Sequence, residues 1–337
     1  MVCNLTEPIP FFVVDRPISL KLLEFCGIRN LRFKIGLMGH ANTSKNFQKM
    51  FREFKGVNVV KMADSGVFTK QGNLTKGYEQ LFEIYENMSV EYGIIIDVIK
   101  DKEGTVRSAK EAIKVYEKSK HNFKLVGVTQ GNTVDDYLNC YNKLKGLDFK
   151  FIAIGGLLKK IENTMRYVRV RNEKFLEDVV KNIRGKYLED WLFLLGCYHP
   201  DRHQIFRKYN VFGADYKGWI LNYRNPNQVI QKLERELSRL EDKLGIDQKG
   251  LIELREKYHR LLKNPKRENL SRLGKEILSI RLKITEEVNN KDYLDALTKV
   301  KYYLFATREE LRNERFIQIK RYLKENVLQK LELEKST

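Results

Sequence analysis

The chain has 337 residues, 42% hydrophobic and 32% charged, which excludes a disordered chain and allows a barrel of about 250 residues with an additional module. The formal net charge of +19 favours polyanionic partners, nucleic acid first, because contacts between basic side chains and phosphates release condensed counterions. A general enrichment in lysine is the alternative explanation of this charge.

Short apolar runs recur between amphipathic segments up to about residue 223. Each run is rich in β-branched or aromatic residues and nearly continuous, which is typical of strands buried on both faces. The eight runs are Phe11–Asp15, Phe33–Met38, Val57–Asp64, Tyr92–Asp97, Lys124–Gln130, Phe149–Leu157, Trp191–Cys197 and Val211–Asp215. Helical patterns lie between several of them, as at Thr105–Ser119 and Val134–Leu144. Eight strands alternating with helices predict an α/β fold, a (β/α)8 TIM barrel over residues 1–225, with a doubly wound open sheet as the alternative.

Polar side chains stand at or just past the carboxyl ends of these runs. They are Asp15, His40, Asp64, Asp97, Gln130 and Asp215. In a barrel the carboxyl ends of all strands meet at one mouth, where active sites are built. A single Asp after a strand is more often a turn residue or a helix cap, but several around one rim indicate a site.

The sequence changes character after Asn225–Pro226. Residues 226–337 are dominated by Leu, Ile, Lys, Arg and Glu at helical spacing, and Pro265 is their only proline after Pro226. This pattern predicts an all-helical module of three or four helices, in which Leu233–Leu244 forms one arm of an antiparallel hairpin. One hypothesis is that the module serves packing and oligomerisation, as a homodimer or with a partner protein. The other is that it binds nucleic acid, because its excess charge is basic.

The four cysteines are far apart, and no pair has the spacing of a zinc or redox motif. They are Cys3, Cys26, Cys140 and Cys197. The first residues lack the basic leader and apolar run of a signal peptide, and no apolar stretch approaches the roughly 20 residues of a transmembrane helix. We therefore expect a cytoplasmic protein without membrane contact, bound metal or cofactor.

Five parts of the sequence resemble, in order, the motifs of one enzyme family. They are Ala63–Thr69 (ADSGVFT), Ile94–Asp97 (IIID), Val128–Asn132 (VTQGN), Ala153–Leu157 (AIGGL) and the pair Leu192–Pro200 and Val211–Asp215. They resemble the tRNA-guanine transglycosylases and their relatives that act on DNA, and the likeness covers roughly residues 10–225. AIGGL is nearly identical to the family pattern, but the ordered set carries the specificity.

The resemblance implies two catalytic carboxyl groups. Asp215 would be the nucleophile that attacks C1′ of a nucleotide and holds the sugar covalently while one base leaves and another enters. Asp64 would be the general acid/base that protonates the departing base and deprotonates the incoming one. The alternative for Asp64 is an Asx-turn that precedes Ser65–Gly66.

The resemblance also implies a set of residues that bind the base. Asp97 would accept hydrogen bonds from the N1–H and N2–H2 edge of guanine, while Gln130 and the backbone N–H of Gly156 would donate to O6 and N7. Glycine at 155 and 156 lets the backbone approach a flat ligand closely, although a tight turn explains the pair as well. Phe68 and Leu195 would cover the two faces of the base, with plain core as the alternative for Leu195. Ser65 and Leu157 complete the set.

The sequence departs from the family in ways that bear on its substrate. No Cys-x-Cys-x-x-Cys motif with a later His follows Asp215, and no archaeal-type RNA-binding domain is recognisable. Val67 and Thr69 replace a Gly and a Gln of the first signature. These departures favour the branch that inserts 7-deazaguanine bases into DNA, while tRNA stays open as the substrate.

Basic residues directly after AIGGL predict a track for nucleic-acid phosphates, with a solvated helix face as the alternative. The track residues are Lys159, Lys160, Arg166, Arg169 and Arg171, followed by Lys174, Lys181 and Arg184. The sequence as a whole therefore predicts a transglycosylase that exchanges guanine in nucleic acid for a 7-deazapurine base, on DNA rather than tRNA. The rival hypothesis is an accessory subunit that binds nucleic acid without catalysis.

Overall fold

The computed structural model describes residues 7–66, 77–160, 167–170, 172–221, 226–246, 249–263, 267–284 and 290–329. The chain divides into two compact units. The first comprises residues 1–221 together with 320–337, and the second comprises residues 222–319.

Eight parallel strands close into a barrel in the first unit, which confirms the predicted (β/α)8 architecture. In chain order they are β1 (Ile9–Val13), β2 (Ile35–His40), β3 (Val59–Asp64), β4 (Tyr92–Ile94), β5 (Lys124–Thr129), β6 (Phe151–Ile154), β9 (Trp191–Leu194) and β10 (Gly213–Tyr216). Pairing of β1 with β10 closes the barrel. The short strands β7 (Leu158–Lys160) and β8 (Tyr167–Val170) form a separate antiparallel hairpin after β6.

Helices follow the barrel strands as expected for this fold. They are α1 (Pro17–Phe25), α2 (Lys45–Glu53), α3 (Tyr78–Met88), α4 (Lys102–Tyr116), α5 (Val134–Lys145), α6 (Glu173–Lys186), α7 (His203–Lys208) and α8 (Gly218–Leu221). Side-chain caps explain two of their starting points. Asp101 accepts a hydrogen bond from the Gly104 N–H at 2.9 Å, so α4 begins three residues before the predicted Thr105. Thr133 and Asp136 form a capping box at the start of α5.

Aromatic side chains fill the barrel below its mouth. Tyr92 and Trp191 stack at 5.2 Å, and Phe11 meets Phe193 edge-on at 5.0 Å. Gly36 leaves room for this layer, because a Cβ there would lie 2.1 Å from the Phe11 ring. The interior is therefore a packed core, and the buried carboxyl groups Asp97 and Asp215 lie at its carboxyl end.

Strand β4 ends earlier than its apolar sequence predicts. The run Tyr92–Asp97 extends to the carboxylate, but the strand stops at Ile94. The reason is that the Tyr78 hydroxyl accepts a hydrogen bond from the Ile96 N–H at 3.0 Å, and the Ser108 hydroxyl donates to the Ile96 carbonyl at 2.6 Å. Side chains thus replace the strand neighbour, and Asp97 lies on a loop just past β4.

The basic segment after β6 begins with the hairpin β7–β8, which the sequence pattern does not predict. The backbones of Lys159, Lys160 and Arg169 lie in this hairpin, while Arg166 and Arg171 lie outside the described residues. The inclusion of Arg184 in the phosphate track is wrong. Its guanidinium is buried and donates to five backbone carbonyls. They belong to Tyr187, Leu188, Asp190, Tyr209 and Asn210.

The C-terminal region is helical, as predicted, but its described residues form five helices where the sequence pattern predicts three or four. Its elements are α9 (Pro226–Lys243), α10 (Lys249–Lys263), α11 (Arg267–Ile284), α12 (Lys291–Phe305) and α13 (Arg308–Leu323). Two buried apolar clusters hold the second unit together, one around Tyr258 and Ile277 and the other around Leu237 and Tyr293. No helix in the described part of the chain is both long enough and apolar enough to cross a membrane.

The end of α13 returns to the barrel unit, whereas the sequence pattern assigns all of 226–337 to the helical module. The hydroxyl of Tyr322 is hydrogen-bonded to that of Tyr216 on β10. Lys320 Nζ lies 4.9 Å from the ring of Phe25 on α1. Tyr322 and Lys320 therefore contact the last strand and the first helix, where the eighth helix of a (β/α)8 barrel packs. By chain order, the helical unit is an insertion between β10 and this final barrel element.

A buried ion network links the helices of the second unit. The Arg281 side chain is 0% exposed and contacts Glu234 at 2.7 Å and Glu241 at 2.6 Å. Arg255 lies 3.1 Å from Glu241, and the Tyr293 hydroxyl donates to the same carboxylate at 3.2 Å. Two buried carboxylates are thus balanced by two guanidinium groups, so the removal of one member leaves an uncompensated buried charge.

We therefore expect Arg281→Met to destabilise the second unit by about 3–5 kcal/mol, although methionine fills similar volume. The control is Arg312→Met, because Arg312 is 57% exposed and its loss should cost less than about 0.5 kcal/mol. Urea unfolding followed by circular dichroism at a helix-sensitive wavelength measures both variants. Equal midpoints for Arg281→Met and Arg312→Met would contradict the prediction.

Candidate active site

Four predicted site residues lie at the carboxyl end of the barrel. Asp64 is the last residue of β3, and Asp215 is the third of the four residues of β10. Gln130 directly follows β5, and Asp97 follows β4 by three residues. The barrel order places β4, β5 and β6 side by side and β10, β1, β2 and β3 side by side. The mouth therefore has two sides, which carry different chemistry.

The amide side of the mouth consists of Asp97, Gln130, Gly155 and Gly156. The Gln130 side chain is fully buried, and its Nε2 donates to Asp97 Oδ2 at 2.5 Å. Its Oε1 accepts from the Lys100 N–H at 3.1 Å. These two bonds fix which end of the amide faces Asp97, so the carboxyl and amide form one preorganised edge.

The two glycines press the backbone against this edge. A Cβ at Gly155 would lie 2.5 Å from Gln130 Nε2, and a Cβ at Gly156 would lie 2.2 Å from Gln130 Oε1. Gly156 also has φ of +71°, which side chains other than glycine rarely adopt. The Tyr137 hydroxyl donates to the Gly155 carbonyl at 2.8 Å and holds the turn. Close approach and a tight turn are thus both present here.

The carboxylate side consists of Asp15, His40, Asp64, Asp215 and Lys217. Asp215 is 8% exposed, and its Oδ1 accepts from the Gly196 N–H. Burial raises the pKa of Asp215 to about 7, with the Gly196 hydrogen bond opposing the shift and the nearby charge of Asp64 adding to it. Asp215 therefore ionises near neutral pH rather than near pH 4.

Asp64 occupies the turn that the sequence analysis kept as an alternative. Its Oδ1 accepts from the Gly66 N–H at 2.5 Å, which is the hydrogen bond of an Asx-turn. Burial raises the pKa of Asp64, and His40, Gly66 and Lys217 oppose that rise. The turn engages one carboxylate oxygen and fixes the direction of the side chain, so a structural and a chemical role are compatible.

The three carboxyl groups at the mouth are electrostatically coupled. Burial raises the pKa of Asp97 to about 6, and the charge of Asp64 adds to the rise at both Asp97 and Asp215. Like charges disfavour simultaneous ionisation, so an ionised Asp64 keeps Asp97 and Asp215 protonated to a higher pH than is usual for an aspartate. One group can then act as an acid while another is already ionised.

Lys217 is a member of the site that sequence reasoning missed. Its Nζ lies 3.1 Å from Asp15 Oδ2, and it opposes the pKa rise at both Asp64 and Asp215. Although burial alone would raise the pKa of Asp15, Lys217 brings it below its usual value. The signal was present in the sequence, because Lys217 stands two residues past Asp215 at the end of a barrel strand.

The remaining predicted site residues have mixed positions. Leu195 is partly exposed just after β9, and its N–H donates to the Ile154 carbonyl at 2.9 Å. Ser65 and Leu157 are buried next to Asp64 and Gly156 in the chain. Phe68 lies outside the described residues, so its proposed stacking on the base stays a prediction.

No cluster of three His, Cys, Asp or Glu side chains in the described ranges has the grouping that holds a metal ion. The sequence-based expectation that the protein binds no metal stays a prediction. No protein-family model and no curated protein sequence matches this chain. The case for a function therefore depends on the residues of the mouth and on the motifs that carry the family resemblance.

The raised pKa of Asp215 predicts a pH-dependent stability change in Asp215→Asn. Between the usual Asp pKa of 3.8 and about 7 the folded protein binds more protons at this site than the unfolded chain, so this carboxyl lowers stability as the pH rises. Asparagine cannot ionise but still accepts from Gly196. We expect the variant to gain, relative to wild type, on the order of 1–3 kcal/mol between pH 5 and pH 8.

Denaturant unfolding at both pH values measures this gain. The matched control is Asp135→Asn, at an exposed carboxylate on α5, for which we expect the same difference from wild type at pH 5 and pH 8. If the difference in free energy of unfolding between Asp215→Asn and wild type were also the same at pH 5 and pH 8, the pKa of Asp215 would not be raised in the folded protein.

Proposed function

We propose that this protein is a base-exchanging transglycosylase that replaces guanine in nucleic acid with a 7-deazaguanine derivative, on DNA rather than tRNA. The observation that carries the proposal is the coupled set Asp64, Asp97 and Asp215 at the mouth of the barrel, on the motifs that resemble this family. No cofactor is required, because the carboxyl groups supply both the nucleophile and the proton.

The proposed reaction has two balanced halves. In the first, the ionised carboxylate of Asp215 attacks C1′, the bond from C1′ to the base breaks, and its electron pair leaves with guanine, which takes a proton from Asp64. In the second, Asp64 takes a proton from the incoming base, whose nitrogen attacks C1′ and releases Asp215. The proton returns to Asp64, so the exchange consumes no acid or base.

Burial of the mouth lets one carboxyl hold a proton while another is ionised, and the family resemblance assigns the proton to Asp64 and the charge to Asp215. The mechanism needs one carboxyl ionised and the other protonated at the same pH, and burial raises the pKa of both Asp64 and Asp215, so that each can hold a proton above the usual range of an aspartate. Lys217 and the Gly196 N–H both favour the ionised form of Asp215. Asp64 has its raised pKa from burial and is held in place by its turn.

The amide side supports recognition of a guanine-like edge. Asp97 is ionised above about pH 6 and then offers acceptors to two neighbouring N–H groups of the base. Gln130 has one amide hydrogen engaged with Asp97 and a second with which to donate. A site built to pair with polar base edges discriminates strongly, because a wrong base leaves buried groups unpaired.

Nucleic acid as the polymer is supported by charge and position. The net charge is +19, and the hairpin β7–β8 with its basic sequence begins one residue after Leu157, beside Gly155 and Gly156. DNA is favoured because the tRNA enzymes' cysteine motif does not follow Asp215 in the sequence. A tRNA-directed enzyme and a non-catalytic nucleic-acid-binding subunit are the alternatives, and the second is disfavoured because it has no need of paired carboxyl groups.

Adduct trapping tests the mechanism. Wild type incubated with labelled guanine and single-stranded DNA, duplex DNA or tRNA should label one polymer, and denaturing gels should show a protein–polymer adduct. We expect Asp215→Ala to abolish both exchange and adduct, because the attacking oxygen is removed. We expect Asp64→Asn to slow exchange by about 10²–10⁴-fold while the nucleophile remains.

Asp97→Asn is the matched control, since it alters another buried carboxyl of the same mouth. It should keep the adduct and relax the choice of base. An adduct that persists in Asp215→Ala would identify a different nucleophile, with Asp64 the next candidate. Labelling of no polymer by the wild type would favour the accessory subunit.

The phosphate track gives a separate prediction. Binding to the labelled polymer should weaken steeply with salt, and reversal of charge at Arg169 and Arg171 should weaken it without a change in base choice. The control reverses Lys110 and Lys114, exposed on α4, with the same change in net charge. Equal losses in the two double variants, measured by fluorescence anisotropy at several salt concentrations, would show that only total charge matters.

A further inference from the structure

His40 is a buried inward-facing residue that the proposed mechanism does not use. It ends β2, where alternation places it on the same face as Met38 and Gly36, and the Phe11 ring lies against Gly36 on that face. The residue is 8% exposed, and among the described residues its Nδ1 has no hydrogen-bond partner. Buried polar atoms are nearly always paired, so this nitrogen calls for an explanation.

The surroundings of His40 identify the part of the mouth that it faces. It pairs in register with Asp64 on β3, and its charge influences both Asp64 and Asp15. Lys217, the nearest cation of this side, is paired with Asp15. His40 thus stands within the carboxylate side, and its Nδ1 is not hydrogen-bonded to Asp64, Asp15 or any other described residue.

The chemistry of exchange indicates which group of a substrate would lie near this nitrogen. Asp215 must reach C1′, so the sugar lies on the carboxylate side while the base lies against Asp97 and Gln130. The substrate atoms nearest β2 are then oxygens of the sugar or of a flanking phosphate. Resting on the proposed function, we propose that His40 is a substrate-binding residue whose Nδ1–H donates a hydrogen bond to a sugar–phosphate oxygen of the target nucleotide.

Three small probes locate this contact by equilibrium binding. They are guanine, deoxyguanosine and deoxyguanosine 5′-monophosphate, compared by calorimetry with the wild type and His40 variants. The step from guanine to deoxyguanosine reports on the sugar, and the step to the monophosphate reports on the phosphate. We expect the gain in affinity at one of these steps to be roughly 5- to 30-fold smaller in His40→Leu than in the wild type, which is the effect of one hydrogen bond. The affinity for guanine itself should be the same in both proteins.

Two further variants separate the nitrogen from the ring. Asparagine places its amide nitrogen near the position of Nδ1, so His40→Asn should keep the gain in affinity that His40→Leu loses. Glutamine reaches toward the position of Nε2, so His40→Gln should lose that gain as His40→Leu does. His40→Leu, His40→Asn and His40→Gln all remove the imidazole that favours ionised Asp64 and Asp15, and none loses an Nδ1 hydrogen bond to a described residue, so the three variants should have similar heat stability. Weaker binding by His40→Leu and His40→Gln but not by His40→Asn, at similar heat stability of the three variants, is a result that a merely structural histidine would not give.

The inference is overturned if His40→Leu binds all three probes as the wild type does. It is also overturned if guanine affinity falls equally, or if His40→Asn behaves like His40→Leu. The probes measure binding alone, so they are informative whether or not the wild type exchanges bases. A wild type that exchanges no base and forms no adduct, but shows the expected probe steps, would overturn the proposed function and leave the His40 contact standing.

Discussion

The mouth of this barrel depends on holding three carboxyl groups largely away from water, with Asp97 and Asp215 buried and Asp64 partly exposed. A carboxylate in such a place is costly, and the chain offsets the cost with a few specific donors: the N–H of Gly196 for Asp215, the N–H of Gly66 for Asp64, and the Gln130 amide for Asp97. What remains uncompensated appears as raised pKa values. Gly155 and Gly156 bring the backbone close to Gln130, the early end of β4 places Asp97 on a loop, and Lys217 adds a positive charge beside Asp15.

Much of the barrel could be predicted from the sequence, because strands buried on both faces leave a strong apolar signal. The placement of Asp64, Gln130 and Asp215 at strand ends followed directly from those runs. The end of β4 could not be predicted, because it depends on Tyr78 and Ser108 replacing the backbone partner of Ile96. The unbroken apolar run up to Asp97 does not reveal that hydroxyl groups from neighbouring helices bind the backbone of Ile96.

Two other features show why charge in a sequence is ambiguous. Arg184 lies in a basic stretch, yet it is a buried structural residue that binds backbone carbonyls near the ends of α6 and α7. Lys217 stands almost alone in the sequence, yet it faces the carboxylate side of the mouth. The role of a cation is decided by which acceptors surround it, and composition does not contain that information.

The return of the chain to the barrel after the helical unit has a consequence for the order of folding. Tyr216 and Tyr322 are hydrogen-bonded but stand 106 residues apart in sequence. Closing so long a loop from a disordered chain carries an entropic cost, which rises with loop length and slows the formation of such distant contacts. The helical unit has its own buried clusters and ion network, so it can fold before this contact forms. Once the helices have folded, the chain between Tyr216 and Tyr322 is compact, and less disordered chain has to be closed. The helical unit therefore has to be synthesised, and can fold, before the last element of the barrel packs.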